Sequence, residues 1–569
     1  MECNYCERFC EIPEENSGYC KMYRNVNGQI LENYPDAYLN VYPVSSESIP
    51  LLHFHPNSIF LLISTIGCNF ACGGCISEFQ TIRKGTLQEV LTHYTPEEIL
   101  ALARESNCRG ITFCLNEPTV SLPTFLRVAK AAKKEGFLVG CSSNGYMSRY
   151  TFECLIPFLD FVNIGLKGSS EERYKECGIE SGVPVFRNLR NLYNAGVSVE
   201  VSVMYLKDRE DEVFGAAEII SEISKDIPLQ VMRFMDFNNN FHGQEPSREE
   251  GEELCNKLRS ILDHVYLFNT PATTELDSRC PVCGNIIFHR VFFGPMAARV
   301  LSCMPDGVCT CGYKIPYKGE IMPIPEEEPK VLGGYRSIMG MKFIIKYLNI
   351  LGVTDDLEIN KLCNSVIANG YMDYLQNQKD NFQTFFELLS YLAKLANREE
   401  EAGHIKDYVR SVISDIEEKV INVNKPRVIS VFCHPLSPLY ATKFGNVLVE
   451  TAGGISLNIE QDFKESANAE YNVESFNKLN PEVIMIDGHF APPLDEFLKT
   501  CEGLGIRCRA ISEGRVYIMS KEYATQTLGW VIGLMETANL LHPEIFRYSL
   551  EEEKIKQNRV INQTPGILL

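Results

Sequence analysis

Three cysteines on one short loop carry the clearest chemistry in this 569-residue chain. The stretch Ile63–Ser77 reads I-S-T-I-G-C-N-F-A-C-G-G-C-I-S and sets Cys68, Cys72 and Cys75 in a C-x3-C-x2-C spacing. A four-iron iron–sulfur cluster ordinarily takes four cysteine thiolates. Three leave one iron open to a small molecule. A zinc knuckle and three unrelated buried thiols are the alternatives, although zinc sites more often use two separated C-x2-C pairs. The loop follows an apolar run of strand length, Ile59–Ile66. Reactive groups in barrel folds sit on loops at the carboxyl ends of strands.

Two further cysteine groups flank this loop. Cys3, Cys6, Cys10 and Cys20 form C-x2-C-x3-C-x9-C within residues 1–30. A segment that short cannot fold on apolar burial alone, and a metal would supply the missing stability. The spacing does not distinguish zinc from iron–sulfur. Farther on, residues 269–314 hold Cys280 and Cys283 in one knuckle and Cys309 and Cys311 in a C-x-C, with Cys303 nearby. A zinc ribbon and an auxiliary cluster both suit this set. His289 is read as a packing residue rather than a ligand.

Elements must position these groups. From 58 to 235, apolar runs alternate with helical patterns. Strands are expected at Ile59–Ile66, Gly110–Leu115, Phe137–Cys141, Phe161–Leu166, Val199–Leu206 and Leu229–Phe234, and helices at 96–106, 122–135, 184–195 and 213–224. Thr95-Pro96-Glu97-Glu98 supplies a cap and a first-turn proline. Alternation of this kind predicts a parallel sheet. Successive strand ends carry Asn116-Glu117, Ser142-Ser143-Asn144-Gly145, Lys167 and Arg233. A carboxylate suits an ammonium, and the hydroxyls and amide suit a ribose.

The net charge of −20 argues against nucleic acid, which needs clustered Lys and Arg. No leader pattern and no apolar stretch of membrane-spanning length is apparent, so a cytoplasmic protein without a membrane partner is expected. The 22 cysteines then point to metal or redox chemistry rather than disulfides, and to an anaerobe.

Taken together, these motifs resemble the radical S-adenosylmethionine (SAM) superfamily. Residues 1–315 are similar to its AmmeMemoRadiSam branch, near pyruvate formate-lyase activating enzyme. The resemblance implies an α/β fold with a partial (β/α)6 barrel over 31–268 and Cys-rich metal-binding segments on both sides. It implies a [4Fe–4S] cluster on catalytic Cys68, Cys72 and Cys75, whose open iron binds SAM and whose electron cleaves it to a 5′-deoxyadenosyl radical. Asn116 and Glu117 stand at the family's Gly-Gly-Glu element, which receives the SAM amino group. Ser143 and Asn144 also position SAM. Lys167 falls in an Asp-Leu-Lys element and would hold the carboxylate, with Arg233 a further cofactor contact. Two positions depart from the pattern: Gly74 replaces an aromatic residue and Gly165 replaces the Asp. The expected partners are a reductant such as ferredoxin or flavodoxin and a small-molecule or protein substrate.

Residues 315–330, rich in Pro and Glu, read as a linker. Beyond it, 331–569 resembles substrate-binding proteins of iron-chelate and cobalamin importers, with a shortened first lobe and one long backbone helix from Phe382 to Val423. L-N-P-E-V-I-M-I and E-G-R-V-Y-I-M carry that resemblance. His434, Tyr440, His489 and Phe490 are expected where loops meet a cleft. This domain would hold a corrinoid or another metal chelate, or grip a protein that the enzyme activates or modifies. The rival from another class is a non-catalytic protein that binds or traffics a metal cofactor.

Overall fold

The computed structural model describes residues 1–81, 87–235, 243–271, 273–324, 336–369, 381–463, 471–488, 491–520 and 528–562. The chain divides into two compact units, Met1–Met339 and Gly340–Leu569. An eight-stranded sheet forms the centre of the first. Ile59–Ser64, Gly110–Phe113, Leu138–Ser143, Phe161–Leu166, Ser198–Tyr205, Leu229–Arg233 and Val265–Phe268 lie side by side, in chain order and parallel. Asn40–Ser45 adds an antiparallel strand at the edge beside Ile59–Ser64. All six expected strands form. Val265–Phe268 makes a seventh, and the strand order is linear, with the two ends of the sheet unpaired to each other. The expected count of six units was therefore one short.

Helices fall between the strands as the pattern requires. Pro96–Glu105 begins with a complete capping box, in which Thr95 and Glu98 satisfy each other's backbone N–H. Leu122–Lys134, Val183–Asn194 and Glu210–Ser221 stand within a few residues of expectation. Arg149–Leu155, Glu171–Glu176 and Arg248–Leu258 are additional. The strands bury aliphatic side chains such as Ile63, Ile111, Val139, Ile164, Val201 and Val231, and this burial is the main source of stability.

Part of the sheet interior is polar. Asn163 donates to Gln230 Oε1 at 2.8 Å, and Gln230 donates to Glu200 at 2.6 Å. Glu200 also accepts from the backbone N–H groups of Leu52 and His53 at 2.9 and 2.7 Å. Burial pushes its carboxyl up to about 8, against the lowering effect of those two N–H bonds. Nearby, Arg290 donates to Glu47 at 2.7 Å, with both side chains at most 1 % exposed. Arg290 comes from a three-stranded antiparallel sheet of Ser278–Arg279, Ile286–Phe292 and Ala298–Cys303. The ion pair thus anchors the Cys-rich segment to the strand-to-strand loop at 46–48.

The expected linker starts as an attached strap. His55 N donates to Lys318 O, Lys318 N to His53 O and Met322 N to Pro56 O, at 2.8, 2.9 and 3.0 Å. Positions 325–330 lie outside the described residues. In the second unit, Arg427–Val431 and Val483–Ile486 are the central strands of a four-stranded parallel sheet, flanked by Ile455–Ser456 and Val516–Ile518. The described residues from 340 to 426 contain helices only. The single long helix expected from Phe382 to Val423 is two helices, Phe382–Ala396 and Glu399–Lys419. Asn397 breaks it by adopting φ 52°, the left-handed cap that Asn tolerates better than most residues. No helix among the described residues is long and apolar enough to cross a membrane.

Removing one member of a buried ion pair strands the other charge. Arg290→Leu is expected to cost about 3–5 kcal/mol, read as a lowered urea midpoint for the first unit. Adding Glu47→Leu should recover part of that loss. A double variant as unstable as the sum of both single variants would reject this account.

Candidate functional site

A cavity of about 500 Å³ opens at the carboxyl ends of the seven parallel strands. Ligand pockets typically span about 300–1,000 Å³. Each strand contributes to its wall in turn: the Cys68 loop, Asn116-Glu117, Ser143-Asn144, Gly165 to Lys167, Leu206, Arg233 to Met235, and Asn269. Every residue expected to carry catalysis or cofactor binding lines this one space. A second cavity, about 590 Å³, is lined by Ser58, Arg109, Phe137 and neighbours near the strands' amino ends, and none of the expected residues reaches it.

The cysteine loop is held from its entry. Asn116 Oδ1 accepts from Thr65 N at 3.0 Å, while its Nδ2 donates to Thr65 Oγ1, Ile66 O and Gly67 O at 3.0, 3.2 and 3.1 Å. Gly67 turns at φ 83°, and a Cβ there would lie 2.9 Å from Met22 and 3.2 Å from Cys20 O, so only glycine fits. Gly74 also has positive φ, 69°, a conformation the aromatic residue usual in the family would strain. Asn69 clamps the middle of the loop. It accepts from Asn144 Nδ2 at 2.6 Å on its side chain and from Arg8 Nε at 2.6 Å on its backbone carbonyl.

Glu117 is buried, and both of its carboxylate oxygens accept hydrogen bonds. Its carboxylate accepts from Asn144 N at 2.7 Å, Thr119 N at 3.2 Å and Ser143 Oγ at 3.0 and 3.1 Å. Burial raises its pKa, and those same bonds pull it down. Ser143 and Asn144 are thus spent on orienting Glu117 and Asn69. Arg233 is likewise engaged, donating to Asn269 O at 3.0 and 3.2 Å and Pro246 O at 2.9 Å.

Lys167 differs from these. Among the described residues its ammonium makes no hydrogen bond to protein, and its titratable neighbours are the thiol groups of Cys72, Cys177, Cys75 and Cys68. Burial works against its charge, yet those thiols hold its pKa above the ordinary lysine value. A Cβ at Gly165 would lie 3.7 Å from Lys167 Nζ, and the family's Asp carboxylate is absent at this position. Burial also raises the Cys68 and Cys75 thiols, so a metal must displace their protons to bind. The sequence reading missed Asn69 and Cys177. Asn69 lies inside the cysteine motif and was passed over as a spacer. Cys177, outside all three cysteine groups, presses on Cys72, and its backbone carbonyl accepts from Ala71 N at 2.9 Å.

The flanking cysteines fall into two places. Cys280, Cys283, Cys309 and Cys311 place all four sulfurs within 4.8 Å of one another. Two contacts are as short as 3.5 and 3.4 Å. A zinc ion with Zn–S bonds of about 2.3 Å spaces its sulfurs about 3.8 Å apart, so this set fits a single tetrahedral ion. Gly284 and Gly312, at φ 77° and 91°, close the two knuckles. Cys303 is not in the set, and His289 pairs with Asp277 at 2.8 Å. Cys3, Cys6, Cys10 and Cys20 line a separate small pocket. In the second unit, His489 and Phe490 lie outside the described residues. Tyr440 is buried beside Phe432, their ring centroids 5.3 Å apart, and His434 Nδ1 accepts from Leu436 N at 3.2 Å.

Comparison with known proteins bears on the same residues. Residues 62–217 match the model of the Radical SAM superfamily. An uncharacterized protein of Methanocaldococcus jannaschii is 28% identical over 303 residues, covering 52% of this chain and 88% of that protein. A second protein of that organism, provisionally named glycyl-radical enzyme activating enzyme, is 23% identical over 196 residues, covering 33% and 73%. Among solved structures, a periplasmic solute binding protein from Veillonella parvula aligns over 33% of this chain and 59% of its own, at 14% identity. Its TM-score of 0.28 is too low to assign a shared fold.

The Cys280 set should hold about one metal ion per chain. Elemental analysis of purified Cys283→Ser/Cys311→Ser protein should show that ion lost, with any metal at the Cys68 loop retained. Equal metal content in variant and unmodified protein would reject the site.

Proposed function

We propose that the chain, which carries a Radical SAM domain at residues 62–217, is a radical SAM enzyme that cleaves SAM reductively and uses the resulting radical on a substrate. One observation carries the reading: the thiols of Cys68, Cys72 and Cys75 share a cavity wall with Glu117 and Lys167, at the carboxyl ends of parallel strands. The donor set suits a four-iron cluster with an open position. Bound there, that cluster supplies the electron for SAM cleavage.

The chain's own residues then divide the work. Glu117 lines the cavity and receives the SAM ammonium. Lys167 offers an ammonium to the SAM carboxylate, unshared with any aspartate at 165. Asn116, Ser143 and Asn144 act as positioning residues, because their polar atoms are already used within the protein. Met204, Met232, Phe234, Met235 and Met296 line the same cavity and give a substrate an apolar wall that excludes water.

For the substrate, we favour a protein or peptide over a small molecule. The similarity to a protein provisionally named glycyl-radical enzyme activating enzyme supports that reading. A reductant of the ferredoxin or flavodoxin class follows from the same chemistry, and the second unit then serves to grip the substrate protein.

The test is release of 5′-deoxyadenosine from SAM under dithionite, without oxygen. Cys68→Ala/Cys72→Ala/Cys75→Ala should abolish release. Lys167→Met should weaken SAM binding about tenfold or more, the loss of roughly 1.5–3 kcal/mol that a charged hydrogen bond contributes. Ser143→Ala should act through Glu117 and weaken SAM binding less than Glu117→Gln does. Unchanged release by the triple variant would end the assignment.

A further inference from the structure

The deep end of the central cavity is polar, and its hydrogen bonds do not balance. Pro50, Asn163 and Ser202 line the cavity there. Asn163 stands two residues before Gly165 on Phe161–Leu166, about 7 Å deeper along the strand. Side chains alternate along a strand, so Glu200, Ser202 and Met204 share one face, as do Gln230 and Met232. Ser202 pairs with Gln230 in the strand register, and Met204 with Met232.

Chemistry alone fixes the orientation of each amide. A backbone carbonyl only accepts, so the Asn163 amino group must face Pro50 O, to which it donates at 2.8 Å. Its second N–H donates to Gln230 Oε1 at 2.8 Å. Gln230 must therefore turn its own amino group the other way, onto Glu200 at 2.6 Å. No amide flip remains open. Ser202 Oγ lies 3.0 Å from Asn163 Oδ1 and 2.8 Å from Gln230 Oε1. A hydroxyl has one proton, so it serves one of these oxygens at a time. No N–H or O–H among the described residues donates to Ser202 Oγ itself. Asn163 Oδ1, Gln230 Oε1 and Ser202 Oγ are thus three acceptors sharing two protons, one from Asn163 and one from Ser202. A buried acceptor without a donor is unfavourable. Asn163 and Ser202 both border the cavity, so a ligand there can make good the shortage.

We propose that Ser202, together with Asn163, selects a substrate group that brings an N–H or O–H donor to the cavity floor at the tip of an apolar or peptide-like body. The inference rests on the reading above that substrate enters this cavity. Met204 and Met232 stand nearer the opening and flank the body. A peptide amide meets the requirement; an ester does not. Glu200 sharpens the preference. By accepting from Gln230 it polarises that amide, so Gln230 Oε1 draws more strongly on the Ser202 proton. Asn163 Oδ1 and Ser202 Oγ are then the acceptors that remain. Glu200 is held in turn by Leu52 N and His53 N at 2.9 and 2.7 Å.

The experiment is calorimetric titration of the full chain, purified without oxygen, with two probes. One is N-acetylglycinamide; the other is N-acetylsarcosine methyl ester, which keeps the carbonyls and has no N–H. SAM and reductant are left out, so the result is separate from SAM cleavage. N-acetylglycinamide should bind with a Kd of roughly 20 mM or tighter. The ester should bind at least about threefold more weakly. Ser202→Ala should weaken binding of the amide by about threefold to tenfold and treat the two probes alike. Thermal melting checks that the variant folds; where it does not, the two probes on the unmodified chain decide. No binding of the amide, equal binding of both probes, or unchanged discrimination in folded Ser202→Ala protein would overturn the proposal. If the probes behave as expected while the Cys68→Ala/Cys72→Ala/Cys75→Ala protein still releases 5′-deoxyadenosine, the SAM-cleavage assignment falls and the selective floor stands.

Discussion

The geometry of the cavity depends on how one amide is spent. Asn116 uses its carbonyl and its amino group on Thr65, Ile66 and Gly67, the residues that carry the chain from the first parallel strand into the cysteine loop. Those atoms are buried, and a buried backbone group without a partner costs about 1–3 kcal/mol. A loop of this kind cannot take its bonds from water or from a ladder. Asn116 supplies them from the end of the adjacent strand. The position of Cys68 is therefore set by the register between two strands, and any shift of that register moves the thiol.

A second constraint runs in the same direction. The residues that follow the seven parallel strands line one cavity, so their polar ends converge on a single opening. Glu117, Asn144 and Asn69 link three of these ends through hydrogen bonds of 2.7 and 2.6 Å. Such a network is strong when all members are satisfied and costly when one is lost. Glu117 and Lys167 both line the cavity beside this network. They are opposite in sign, which suits a ligand carrying both an ammonium and a carboxylate.

Much of this was legible in the residues. The strands at 59, 110, 138, 161, 198 and 229 announce themselves as apolar runs followed by polar turns, because burial on both faces leaves no alternation to misread. Val265–Phe268 was passed over because four residues, V-Y-L-F, give too short a run beside a helix that had not been expected at Arg248–Leu258. The break at Asn397 is invisible to hydrophobic period, since apolar residues resume in phase on both sides. Within the site, residue type located the right side chains but not their tasks. Asn116 and Asn144 look like ligand contacts in sequence, and only coordinates reveal that their hydrogen bonds are already taken.

The three cysteine groups show why composition is a poor guide to what a thiol does. Cys309 and Cys283 sit 3.4 Å apart across the two knuckles. Cys68 faces Glu117, whose charge adds to burial in raising the thiol. Cys72 is raised by its contact with Cys177 and by burial, and the charge of Lys167 works the other way. Binding a metal at the Cys68 loop thus releases protons against one neighbour and with the help of another, and Lys167 offsets the negative charge that three thiolates bring into a half-closed space. Without a cation there, the thiolates would repel one another at low effective dielectric. Under the proposed function Lys167 has a part in assembling the metal site as well as a part in holding what binds beside it, and both parts rest on an ammonium that makes no hydrogen bond among the described residues.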